Sequence, residues 1–274
     1  MRAHTGWAIG LVLCAFAPLS KAQPDPSDIE FVTVGAPGNA PWTGAGFNSG
    51  RGQVDYEYKI GKYEVTTAQW AEFMNVALDR PSNDRIPHVG APSAWGAVGT
   101  APNNPGANRW TVPAGNEMHP TGGIDWRTAA IYTNWLHNEK GTDRSAFLSG
   151  AYDVSTFGYL NGGSLFTDQL TRSPGARYWI PSLDEWMKAS HWSPDRFGPG
   201  QGGWWLYSNG SDTPFAYGPP GARVRTTFPP GPDPNGPLAT ANASWQDFHF
   251  PGNNPFDIPL GAYAGVVSPW GLVD

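Results

Sequence analysis

Tyr58-Lys59-Ile60-Gly61-Lys62-Tyr63-Glu64-Val65-Thr66 is the stretch whose reading decides the fold. From Tyr56 to Ile60, aromatic or apolar side chains alternate with charged ones, the period-two pattern of a half-buried strand. Gly61-Lys62 permits a tight turn into Tyr63-Glu64-Val65, which predicts a hairpin. Thr66 with Gln69 three residues on forms a capping box, and Trp70, Phe73, Met74 and Ala77 follow at helical spacing. A strand that turns directly into a capped amphipathic helix points to a mixed α+β domain.

The rest of the chain extends that pattern. Phe31-Val32-Thr33-Val34 reads as a first strand. Asp125 caps a second helix that runs through Trp135-Leu136 and stops near Gly141, a residue suited to a left-handed C-terminus. Ser182 with Glu185 caps a third, with Leu183, Trp186, Met187 and Ser190 expected on its core face. Two long segments carry no sustained period. Residues 81–118 scatter Pro, Gly and Asn, and residues 213–238 hold 8 Pro and 4 Gly in 26 positions, which neither helix nor central strand tolerates. No internal repeat or composition break marks a second domain.

Composition agrees. Charged residues are 15% of the chain, against roughly 25% in ordinary globular proteins, and Gly with Pro reach 63 residues. The 14 Trp, 13 Phe and 10 Tyr exclude disorder, because large rings supply the burial that offsets ordering entropy. The expected product is a folded domain with few helices, short twisted strands and long irregular loops.

The N-terminus reads as an export signal over residues 1–22. Arg2 gives a positive start, residues 6–16 are largely apolar, and Ser20-Lys21-Ala22 places small residues for a cut after Ala22. The apolar stretch falls short of the roughly 20 residues a membrane span needs, so secretion, to periplasm or cell surface, is expected without a span. Leu13 is bulky where a lipoprotein box before Cys14 would want a small residue. Cys14 is the only cysteine, so residues 23–274 hold no disulfide, thiolate metal site or cysteine nucleophile. Cleavage leaves 15 basic against 23 acidic residues, a formal charge of −8, and this argues against a nucleic-acid partner.

Beyond the opening stretch, Gly123-Ile124-Asp125-Trp126-Arg127, Arg177-Tyr178-Trp179-Ile180-Pro181 with its capped helix, Ala241-Asn242, Leu260-Gly261-Ala262-Tyr263 and Ser268-Pro269-Trp270-Gly271-Leu272-Val273-Asp274 arrive in a fixed order. In that order they resemble the formylglycine-generating enzyme (sulfatase-modifying factor) family over residues 31–274. Gly150-Ala151-Tyr152 and Trp205-Leu206-Tyr207 look most like an exported bacterial branch. The resemblance implies a fold related to C-type lectins. It also implies that the terminal run continues elsewhere in the family into a catalytic segment, so residues 23–274 are expected to be a C-terminally incomplete domain. Family members oxidise a substrate cysteine to formylglycine with copper held by two cysteines. This sequence lacks those cysteines, and His88, His119, His137, His191 and His249 show no paired metal-ligand spacing; copper is not expected here.

Calcium is the one cofactor the resemblance suggests, as a structural ion held by Asn242. Asp257, Asn253 or Asn254 could stand in for the family's acidic partner, which would fall near Gly252; otherwise Asn242 simply closes a turn. Asp125 and Glu185 are explained as caps and Glu64 as a strand residue beside Lys62, which leaves no catalytic carboxylate pair. No G-x-S-x-G elbow occurs. Trp204-Trp205 with Tyr207 could form a stacking platform for sugar or peptide, or could divide into one core ring and one loop cover. Two functions stand open: an exported formylglycine-generating-enzyme-like domain without evident catalytic residues, or a non-catalytic lectin-like module binding a protein or carbohydrate.

Overall fold

The computed structural model describes residues 28–99, 109–163, 165–227, 231–241, 254–263 and 265–273. Among these, helices are few, strands are two to four residues long, and every sheet has two strands. This is an α+β fold in which loops make up much of the chain.

Strand β1 (Phe31–Val34) pairs antiparallel with β2 (Tyr58–Gly61), Val32 opposite Ile60. The sequence predicted a hairpin from β2 into residues 63–65. Instead Tyr63-Glu64-Val65 is an irregular connection, and β2 pairs backwards with β1. The reason is burial: Val34, Tyr58 and Ile60 share one core cluster, a larger apolar contact than a local turn could offer.

Helix α1 (Thr67–Leu78) carries the capping box between Thr66 and Gln69, and Trp70, Phe73, Met74 and Ala77 are all buried. Helix α2 (Trp126–His137) is capped by the Asp125 carboxylate, which accepts from Thr128 N at 2.7 Å. Phe73 meets Tyr132 edge-on at 5.2 Å and Trp135 at 5.6 Å, so the two helices lock through rings. The C-terminal turn of α2 is not built on Gly141. Glu139 and Lys140 take the left-handed conformation, at a strain cost most side chains avoid. Short helix α3 (Ser145–Leu148) closes this core through Phe147, and Asn134, fully buried, bonds Phe147 O, Tyr152 O and Tyr152 N.

Among the described residues of the long segment 81–118, the strands are the two-residue β3 (Val98–Gly99) and β4 (Trp110–Thr111). Hairpin β5 (Tyr159–Leu160) and β6 (Leu165–Phe166) stands outward from the core. Helix α4 (Leu183–His191) follows, then β7 (Trp192–Ser193) paired with β8 (Gly203–Trp204). The Pro-rich segment 213–238 is held by isolated bridges such as Arg223 with Leu238, over a small cluster of Ala216, Val224, Ala239 and Tyr263.

Helix α4 buries Met187 and Ser190 as its sequence suggests, but not the other two residues of that stripe. Leu183 and Trp186 are 44% and 50% exposed, whereas Glu185 and Lys188 are 1% and 0% exposed. Polar partners inside the fold account for this. Lys188 Nζ donates to Ala36 O at 2.9 Å and Val54 O at 3.3 Å, binding the loop between β1 and β2 to the helix.

Candidate site along the open edge of β2

Glu185 is the polar hub of this region. Its carboxylate accepts from Tyr56 OH (2.8 Å), Arg172 (2.9 Å), Trp179 Nε1 (3.1 Å) and Ser182 N (2.7 Å), while Tyr58 OH donates to its backbone carbonyl. Arg172 lies over the Trp179 ring at 3.8 Å. Burial alone would raise the Glu185 pKa. The hydrogen bonds from Ser182, Arg172 and Tyr56 outweigh it and hold the carboxyl below its ordinary value. A carboxylate with every lone pair engaged is an anchor, unsuited to shuttling protons. Burial pushes the Tyr58 hydroxyl well up.

Beside this hub lies a cavity of about 830 Å³, within the range of natural ligand sites. Every residue from Tyr58 to Val65 lines it, faced by Trp126 and Ile124 at the start of α2 and by Trp179 and Trp186. A second cavity of about 350 Å³ shares Glu64, Trp186 and Leu272 with the first. Those three residues border both cavities.

The residues singled out from sequence fall in different places. Trp204 is 8% exposed, meets Trp42 edge-on and donates its indole N–H to Ala40 O at 2.9 Å, so it is a core ring. Trp205 is half-buried beneath Arg196, 4.4 Å from its ring centre. Tyr207 is half-buried and bridges Ser211. The three do not form one flat exposed face. Of the groove residues, the sequence reads Tyr58–Val65 as strand and turn and Trp186 as core-facing, because a helical or alternating apolar stripe looks identical whether it faces a neighbour or a void; Trp179 and Leu272 enter it only through the family motifs.

The implied metals fare as follows. Asn242 and Asn253 lie outside the described residues. Asp257 is exposed in a single 3-10 turn whose Asn254 side chain bonds Phe256 N. Among the described residues no three His, Cys, Asp or Glu side chains converge. For copper they supply no thiolate, since Cys14, the sole cysteine, precedes them; the described residues do not fit that ion. Among them, too, no helix is long and apolar enough to cross a membrane.

Comparison with known proteins yields one assignment. Neither a curated protein nor a solved structure matches the chain. The family model for the sulfatase-modifying factor enzyme 1-like domain matches residues 32–274. With its few helices, two-stranded sheets and long loops, the chain belongs to the formylglycine-generating enzyme (sulfatase-modifying factor) family.

Proposed function

We propose that the chain is exported and that residues 23–274 act as a binding scaffold of this family, with no cysteine oxidation of their own. The observation that carries the reading is the apolar groove beside β2, about 830 Å³ in its larger part, in a segment with no thiol to hold copper. The groove supports a ligand with a large apolar surface. A flat sugar platform at Trp204, Trp205 and Tyr207 has less support, because Trp204 is turned into the core. Structural calcium at Asn242 and Asp257 remains part of the proposal. It predicts a melting temperature that rises with calcium and a rise that disappears in Asn242→Ala.

The deciding experiment incubates residues 23–274 with copper, oxygen and a cysteine-containing sulfatase-type peptide, followed by mass spectrometry for the aldehyde. The expected yield equals the enzyme-free control. Aldehyde above that control overturns the non-oxidising reading.

A further inference from the structure

Hairpin β5–β6 carries exposed apolar side chains on both of its faces. Tyr159 pairs with Phe166, and Leu160 with Leu165. The two rings meet at 5.0 Å on one face, and alternation along a strand turns the two leucines to the other. All four residues are more than half exposed. From Val154 to Thr167 no side chain carries a charge. A lone two-stranded hairpin is marginal in water, and the base of this one shows what holds it. The Arg127 guanidinium donates to both Asp168 carboxylate oxygens and to Gly158 O, each at 2.8 Å, and Gly158 N donates to the same carboxylate at 3.1 Å. The same cation lies 4.5 Å from the Tyr159 ring centre and 5.6 Å from that of Phe166. The hairpin is therefore firmly rooted, and the cation at its root is neutralised by a bidentate partner.

Three features decide what surrounds it. A protein partner, a second copy or another segment of this chain covers a hairpin from one side and leaves the opposite pair in water; a fluid apolar medium wets both faces. The residues also stand in order of depth. Tyr159 and Phe166 lie nearer the base, Leu160 and Leu165 nearer the tip, which is the order of aromatic belt and aliphatic interior where proteins meet a bilayer. Charge selects the lipid. Residues 23–274 carry a formal charge of −8, which anionic headgroups repel, and the uncharged hairpin offers them no cation in return. Zwitterionic headgroups carry no such penalty.

We infer that hairpin β5–β6 is a membrane-surface anchor, whose Tyr159, Leu160, Leu165 and Phe166 side chains insert into the outer layer of a zwitterionic bilayer while the domain stays in water. Four side chains give reversible attachment, far short of a spanning helix. The anchor is separate from the groove beside β2 and leaves it open to its own ligand.

The test mixes residues 23–274 with phosphatidylcholine vesicles and separates them by flotation. The protein is expected to float with the vesicles equally at low and high salt. Leu160→Ser combined with Leu165→Ser is expected to lower the partition coefficient about tenfold or more, because both leucines lose their burial in lipid, with no change in melting temperature. Leu206→Ser combined with Leu238→Ser removes two leucines of similar exposure, 56% and 53%, and is expected to leave partitioning unchanged. A fluorophore on Leu165→Cys, the sole thiol of residues 23–274, is expected to shift to the blue when vesicles are added, and one on Leu206→Cys is not. Wild-type protein that stays with the lipid-free fraction, equal losses in the two double variants, or a Leu165→Cys label that remains in water overturns insertion. Binding that requires anionic lipid and disappears in high salt overturns the apolar mechanism. A wild-type dimer that Leu160→Ser with Leu165→Ser turns into monomer assigns the hairpin to a second copy and overturns the lipid reading. The oxidation assay is untouched by each of these results, so this inference and the functional reading fail separately.

Discussion

Glu185 illustrates how one buried charge can organise a region. It is 1% exposed, and its four donors come from the β1–β2 loop, the segment before α4 and the N-cap of α4, Ser182. Glu185→Ala removes the acceptor and strands Arg172, whose side chain is 32% exposed. The expected loss is about 3 kcal/mol, the low end for breaking a buried ion pair, read from urea unfolding. The sign with pH follows from the depressed folded-state pKa. The stabilisation is fully present above the unfolded value of 4.5 and is lost as pH falls through the lower folded value. The wild-type melting temperature should therefore fall below about pH 4.5, and Glu185→Gln should flatten that acid limb. An unchanged acid limb in the variant would remove Glu185 from the account. Gly52 is as exacting sterically. Its φ is +87° and a Cβ there would lie 2.2 Å from the Trp204 ring, so Gly52→Ala should destabilise by more than about 1 kcal/mol.

The helices were the legible part of the chain, because their starts are local chemistry. Thr66, Asp125 and Ser182 all cap as their sequences indicate. Asp125→Ala should cost about 1–2 kcal/mol and Asp125→Asn much less, since the amide oxygen still accepts from Thr128 N; equal losses in both would show that charge, not capping, is at work. Strand pairing was less legible. The preference of β2 for β1 over Tyr63–Val65 depends on burial against Ala189 and Val54, contacts from remote parts of the sequence. The face of α4 was half legible: Met187 and Ser190 are buried as their spacing indicates, whereas Glu185 and Lys188, polar in sequence but satisfied inside the fold, are buried while Leu183 and Trp186 are not. The groove was invisible for the complementary reason. An apolar stripe announces that it wants covering, and only coordinates reveal what is left uncovered.

Over the whole molecule, the described core starts late. Its N-terminal member is Ile29, packed against the cluster of Trp70, Phe73 and Trp135, and β1 begins at Phe31. Residues 1–22 hold Arg2, a short apolar run and a small-residue cut site. On the export proposed above, this segment is the one a signal peptidase would remove. Expression of residues 1–274 in a secreting host should yield extracytoplasmic protein whose first residue is Gln23, by N-terminal sequencing. Deletion of residues 2–22 should retain the protein in the cytoplasm with an unchanged melting temperature. Recovery of protein still beginning at Met1 outside the cytoplasm would contradict the cut site, and cytoplasmic retention of the full chain would contradict export. A lower melting temperature on deletion would mean instead that residues 1–22 pack against the domain.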